Sequence, residues 1–265
     1  MRYFDAHAHV QFPPYDADRE EVLARMKEVG VGAIMVGVDQ VSSERAIALV
    51  SERDDLYAAI GLHPNDNRKE VFAMSVYQEL AAHPKVVAIG ECGLDYYRPE
   101  DPEQEKARQK ELFEKHIALA VEADKPLIIH ARPSKGTMDA YRDLIDILKE
   151  HKQVHGDRLR GDIHFFVGGV EEAKELVALG FTLSFTAVLT FTHDYDEVVR
   201  SVPLASILSE TDAPYVAPEG RRGTRNDPLA AIDVVRAIAR ILGEEEEMVR
   251  TALLQNAARV FKVSI

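Results

Sequence analysis

Three features of this sequence point to an α/β chain folded as a (β/α)8 TIM barrel. Short apolar runs of the kind that form buried parallel strands alternate with amphipathic helical stretches from end to end. Eight such runs can be marked, and no Pro/Gly/Ser-rich linker, low-complexity stretch or repeat interrupts them. Five of the ten histidines, with Glu91 and Asp212, follow these runs directly. In a barrel of parallel strands, residues at equivalent strand ends converge on one rim. An open doubly wound sheet would gather them at a single switch point instead. Residues 1–265 are therefore expected to form one barrel domain.

The elements follow in order. Arg2-Tyr3-Phe4 opens the first strand, and Val22, Leu23, Met26 and Val29 recur at helical spacing before Gly30 stops the helix. Ala33–Val38 is a nearly continuous apolar second strand, after which Ser42 is expected to cap a helix carrying Ala46, Ile47, Leu49 and Val50. Leu56–Ile60 is the third strand, a helix spans about 71–82, and Val86–Ile89 is the fourth. Apolar positions at Leu112, Phe113, Ile117, Leu119 and Ala120 make Glu103–Ala123 one strong helix. Leu127–Ile129 is the fifth strand, followed by a helix with Tyr141, Leu144, Ile145 and Leu148. Gly161–Phe165 is the sixth, and Ala173, Leu176, Val177 and Leu179 mark a helix ended by Gly180. Phe181–Phe185 and Ala205–Ser209 are the last two strands, and helices over Pro228–Leu242 and Glu245–Phe261 close the chain.

Composition narrows the function. A 46% hydrophobic content supplies a core, and a single cysteine, Cys92, excludes an internal disulfide and fits a reducing, cytoplasmic compartment. The first ten residues carry Asp5, His7 and His9 where a signal peptide would be apolar, and no apolar run approaches the ~20 residues of a membrane span. The formal net charge of −13 argues against a broad basic surface, leaving room for a local positive patch.

Imidazoles and carboxylates gathered on one rim are ligands for divalent ions. His7 and His9, two residues apart in extended chain, point the same way and can share one ion. Glu91, in Gly90-Glu91-Cys92-Gly93-Leu94-Asp95, would be costly to bury unless paired or metal-bound, and its two oxygens can bridge two ions. His130 and His164 end neighbouring strands and can complete the second ion's shell. Asp212, at the end of the last strand, can hold the first ion and take a proton from a water activated there; Glu210 reads as a supporting group. His63 is placed to contact substrate. Arg132, and Arg225 with Asn226 in a loop that also holds Arg221 and Arg222, suit phosphate oxygens. His83, His116, His151, His155 and His193 lie away from strand ends and are expected to be surface or capping residues.

These residues bring a family to mind. The chain resembles the TatD family of metal-dependent hydrolases, within the amidohydrolase superfamily, over nearly its full length. The resemblance lies in Asp5-Ala6-His7-Ala8-His9, Gly61-Leu62-His63-Pro64, Gly90-Glu91-Cys92-Gly93-Leu94-Asp95-Tyr96-Tyr97, Ile129-His130, Ile163-His164-Phe165-Phe166, Glu210-Thr211-Asp212-Ala213-Pro214-Tyr215, Arg225-Asn226-Asp227-Pro228 and Asn256-Ala257-Ala258-Arg259-Val260-Phe261. It implies that His7, His9, Glu91 and Asp212 hold one ion and Glu91, His130 and His164 the other. It also implies DNA ends as substrate, since members are known as metal-dependent DNases, notably 3′→5′ exonucleases. The metals would be Mg, Mn or Zn. The alternative is hydrolysis of another ester or an amide (an aminoacyl ester or a lactone, for example) on the same binuclear centre. Two segments depart from the family's pattern, Phe165-Phe166-Val167-Gly168-Gly169 and Asp227 where glutamate is usual.

Overall fold

In the computed structural model, residues 1–65, 67–97 and 102–264 are described. Eight parallel strands form one sheet in chain order: β1 (Tyr3–Ala8), β2 (Val31–Val36), β3 (Leu56–Ile60), β4 (Val86–Asp95), β5 (Leu127–Arg132), β6 (Gly161–His164), β7 (Thr182–Phe185) and β8 (Ile207–Ser209). The helices between and after them are α1 (Arg19–Val29), α2 (Gln40–Val50), α3 (Met74–Ala81), α4 (Pro102–Glu122), α5 (Asp139–His155), α6 (Val170–Ala178), α7 (Asp196–Ser201), α8 (Ala231–Leu242) and α9 (Glu246–Phe261). The result is a nearly closed (β/α)8 TIM barrel.

The seam between β8 and β1 is held largely by side chains. The buried Asp5 carboxylate accepts Thr211 N at 2.9 Å, Thr211 Oγ1 at 2.5 Å and His7 N at 3.1 Å. Just beyond, His9 N donates to Ala213 O at 2.8 Å and Asp212 N to His7 O at 2.9 Å. These bonds place Asp212 beside the two histidines of β1.

Alternation along each strand sorts the residues. Phe4, Ile34, Val36, Ala59, Ala88, Ile128 and Leu208 form one buried cluster, completed by Leu254, Ala257, Val260 and Phe261 of α9. The alternate residues Ala33, Met35, Ala58, Ile129, Ile163, Leu183 and Ile207 pack with the surrounding helices. The first set therefore fills the barrel and α9 covers one of its ends. His130 shares the parity of Ile128, and Glu210 that of Leu208, so both point inward at the carboxyl end.

Several strands differ from their apolar runs. β4 extends through Asp95, so Glu91 lies inside the strand rather than after it. The segment Gly90–Asp95 gives little hydrophobic signal yet pairs with β5, from Cys92 opposite Ile129 to Asp95 opposite Arg132. Glycine makes this possible: at Gly90 (φ 152°) a Cβ would collide with Ile128 O, and at Gly93 (φ 126°) with His130 O. The cap of α2 is Asp39, whose carboxylate accepts Ser42 N at 2.7 Å, so Ser42 is the third helical residue and not the cap. α7 was not expected, because six residues are too few to display a periodicity.

His116 also departs from expectation. It is fully buried on α4, where Nδ1 donates to Leu112 O at 2.8 Å and Nε2 accepts Leu62 N at 3.0 Å. Burial pushes its pKa down to about 4, so the ring is neutral and holds the turn that carries His63. His116→Leu is expected to destabilise the protein by about 1–3 kcal/mol, because Leu62 N loses its acceptor. Thermal unfolding would show this as a loss of a few degrees; an unchanged Tm would contradict it.

Candidate metal centre

At the carboxyl end of the barrel the sequence-predicted ligands meet. His7 Nε2 and His9 Nε2 lie 3.0 Å apart. Glu91 Oε2 is 3.4 Å from His7 Nε2 and 4.0 Å from His9 Nε2, while Asp212 Oδ1 is 3.5 Å from His9 Nε2. The other oxygen, Glu91 Oε1, is 3.0 Å from His130 Nδ1 and 3.5 Å from His164 Nε2. Donors held ~2.0–2.2 Å from a common ion are separated by roughly 3.0–3.5 Å, so both groups have ligand-like spacing.

Outer hydrogen bonds fix which ring nitrogens carry lone pairs. His9 Nδ1 donates to Val36 O at 2.7 Å and His164 Nδ1 to Glu210 Oε2 at 2.7 Å, so in the neutral rings both Nε2 atoms are acceptors aimed at the cluster. His63 is arranged the other way. Its Nδ1 accepts Asn65 N at 3.2 Å, so the neutral ring carries its proton on Nε2, 3.5 Å from Glu91 Oε1. His63 thus stands against the ligand cluster as a donor. The rings are clamped: His7 stacks on His164 at 3.6 Å and His9 on Phe12 at 4.5 Å between centroids.

The charge balance calls for a cation. Glu91, Asp95 and Glu210 are buried and Asp212 largely so, yet among the described residues no lysine or arginine pairs with any of them. Histidines alone compensate. Burial opposes ionisation of Glu91, but His63, His164 and His7 hold its pKa well below the usual carboxylate range. Against the same burial, His9, His164 and His7 hold Asp212 down. The acids in turn push His164 up to about 10, chiefly through Glu210 and Glu91, and His130 up to about 9 through Asp95 and Glu91. Burial and the neighbouring His164 charge drive His7 down to about 4, and its buried Nδ1 has no hydrogen-bond partner. Divalent ions fit this donor set, since they supply positive charge where imidazolium protons must otherwise provide it.

The centre opens into a cavity of about 510 Å³ lined by His9, His63, Glu91, His130, His164, Asp212 and Asp95, with Arg132, Phe12 and Tyr215. His7 lies beneath it. Two residues expected at the substrate are elsewhere. Arg225 donates to both Asp18 oxygens at 2.7 and 2.6 Å and lies over the Tyr15 ring. Asn226 is buried, and its Nδ2 donates to Thr211 O and Val216 O at 3.3 Å each. It braces the loop carrying Asp212 and does not line the cavity. Nearer protein groups hold the Arg225 guanidinium and the Asn226 amide nitrogen.

The matches to known proteins agree with this geometry. The model for "TatD related DNase" matches residues 4–262. The chain belongs to the TatD family. The Bacillus subtilis protein YabD, named as an uncharacterized metal-dependent hydrolase, is 40% identical, with 98% of this chain and 99% of YabD aligned. The crystal structure of the Escherichia coli TatD homolog YjjV superposes with a TM-score of 0.88 at 32% identity, covering 99% of each chain. A TatD family hydrolase from Entamoeba histolytica, at 20% identity and a TM-score of 0.80 with 98% of each chain covered, shares the fold. This TatD protein is therefore a metal-dependent hydrolase by family.

Two supporting residues of this TatD chain escaped the sequence. Gln109 on α4 is fully buried and brackets Asp95, its Oε1 accepting Asp95 N at 2.8 Å and its Nε2 donating to Asp95 O at 2.9 Å. With His116 it falls on the apolar stripe of Leu112 and Phe113, a spacing that could have revealed both. Asp95 in turn both caps Tyr97 N at 3.0 Å and faces His130 Nε2 at 3.4 Å. Glu210, besides holding His164, accepts Phe165 N. Glu210→Gln is expected to lower metal affinity about 10–100-fold with the fold intact, since it frees the His164 ring. Metal titration of the ion-free variant checks this, and wild-type affinity would rule the contact out as a support.

Proposed function

We propose that this TatD protein is a cytoplasmic deoxyribonuclease, a 3′→5′ exonuclease that cleaves phosphodiester bonds at DNA ends with two divalent ions. The observation that carries it is the division of Glu91: one carboxylate oxygen faces His7 and His9, the other His130 and His164. His7, His9, Glu91 and Asp212 would hold one ion, and Glu91, His130 and His164 the second, as Mg, Mn or Zn. Bound there, the ions would acidify a water and neutralise charge developing on the attacking and leaving oxygens.

The chain's own groups do the rest. Asp212, ionised at neutral pH, borders the cavity and accepts the proton of the attacking water. His63 Nε2 donates a hydrogen bond to a substrate oxygen beside Glu91. Arg132, also on the cavity wall, meets the phosphate charge. The lone buried Cys92 is too deeply placed for nucleophilic work, and its thiol is pushed well up by burial. Among the described residues no helix is long and apolar enough to cross a membrane.

The test pairs metal analysis of purified protein with digestion of end-labelled oligonucleotides. About two ions per chain are expected, with stepwise shortening from the 3′ end that stops in chelator and returns with Mg²⁺ or Mn²⁺. Cleavage of aminoacyl esters or lactones but not oligonucleotides would move the same centre to a different bond. DNA binding without turnover in excess metal would make the protein a binder.

A further inference from the structure

Beside the metal centre lies a second cavity of about 650 Å³ whose lining includes Arg132, Lys135, Arg142, Tyr97, Tyr195 and Val167. Arg132 and Val167 line the metal cavity as well, so the two spaces share a wall and meet at the mouth of the barrel. We infer that this second cavity is a subsite for the uncleaved part of a single nucleic-acid strand, with Lys135 and Arg142 meeting its phosphates next to the bond being cut. The inference rests on the phosphodiesterase reading above.

Charge is the first support. Among the described residues no aspartate or glutamate lines the cavity, although the chain has a net charge of −13. Arg132, Lys135 and Arg142 have no carboxylate within ion-pair distance among the described residues. Two arginines of the loop after Asp212 contrast with them, Arg221 pairing with Asp233 at 2.8 Å and Arg225 with Asp18 at 2.6 Å. Asp143, next to Arg142 in sequence, pairs instead with Lys110 at 2.9 Å, and Asp139 at the start of α5, the acid nearest Lys135 in sequence, is turned back into its own loop. It accepts Ser134 N at 2.9 Å and pairs with Lys106 at 2.7 Å. Three cations around one hollow, with no carboxylate against them among the described residues of an acidic protein, make a local positive field that attracts a polyanion.

Shape and placement are the second. Arg132 lies two residues past His130 on β5, hence on the same side of the strand, and its guanidinium sits 4.0 Å over the Tyr97 ring. Tyr195 and Val167 add flat and apolar surface on which a base can rest, the combination that binds single strands without reading sequence. A hollow of this volume takes a small-ligand-sized group and so admits one strand rather than a duplex. The loop beneath is fixed by Ser134 Oγ, whose one proton is shared between Tyr96 O at 3.0 Å and Asp139 Oδ2 at 2.8 Å, so Lys135 projects from a preformed base.

The test compares wild type with the Lys135→Gln/Arg142→Gln double variant, in Mn²⁺, on bis(p-nitrophenyl) phosphate and on a single-stranded dT octamer. Equal kcat/KM on the small diester is expected, with a loss of about tenfold or more on the octamer. The dependence of log kcat/KM on log salt should become shallower by about 1.4, the share of two phosphate contacts on a single strand. Equal kinetics on the octamer would overturn the subsite, as would a preference for a duplex octamer over the single strand. Fluorescence anisotropy of a labelled octamer in chelator reads the groove without chemistry: weaker binding by the double variant supports it, and equal Kd overturns it. Wild type that binds the octamer but cleaves neither substrate would sink the phosphodiesterase reading while leaving the groove in place.

Discussion

Glu91→Gln is expected to lower kcat/KM by about 10³–10⁴-fold while leaving the barrel folded. Glutamine keeps the size of the side chain but loses its charge and offers one carbonyl oxygen where two carboxylate oxygens stood. The anionic link between the two imidazole sets, 3.4 Å from Oε2 on one side and 3.0 Å from Oε1 on the other, is then gone. Metal centres contribute several kcal/mol of transition-state stabilisation, and each 1.36 kcal/mol is a decade in rate. The fold should persist because β4 is held by its backbone pairing to β5 from Cys92 through Asp95. Elemental analysis would check the cause, with metal content falling from about two ions per chain to one or fewer. A variant with full metal content and activity within tenfold of wild type would remove Glu91 as the bridge.

Asp212→Asn is expected to cost about 10²–10⁴-fold in kcat, the range of a lost proton acceptor. The substitution is chosen for its backbone. Asp212 sits at φ 51°, in the left-handed region that asparagine and aspartate tolerate best, whereas alanine would add strain at the same point. Its amide bond to His7 O and the brace from Asn226 are untouched by the change. Circular dichroism should therefore match wild type. Saturating Mn²⁺ separates the two roles assigned to Asp212. Metal content restored without turnover identifies the carboxylate as the proton acceptor; turnover restored along with the metal reduces it to a ligand.

Both predictions involve residues that could be picked from the sequence, and the reason is local. His7, His9, His130, His164 and Asp212 each end an apolar run, and a titratable side chain at that point stands at the boundary between core and solvent. Glu91 was recognisable for its chemistry but misplaced by its element, because the glycines that let β4 lie against β5 weaken the very pattern that marks a strand. Ser42 was mistaken for a cap since Asp39 and Ser42 form a reciprocal pair, and either residue type can play either part. Arg225 and Asn226 lie away from the cavity for a different reason. Their side chains suit phosphate, and only the fold shows that Asp18 and the carbonyls of Thr211 and Val216 reach them first.

By itself the sequence settled the alternation of strands and helices and the residue types on the rim, because burial periodicity and strand ends are properties of neighbours along the chain. The tertiary structure alone decided how those groups share charge: which oxygen of Glu91 faces which imidazoles, which nitrogen of His63, His9 and His164 bears the proton, and that Gln109 and His116 serve the site from within a helix. It also decided that Arg132, Lys135 and Arg142 face one hollow with no carboxylate among its described lining residues. Such facts depend on distances of a few ångströms between residues far apart in the chain, and electrostatics and hydrogen bonding act on those distances rather than on sequence separation.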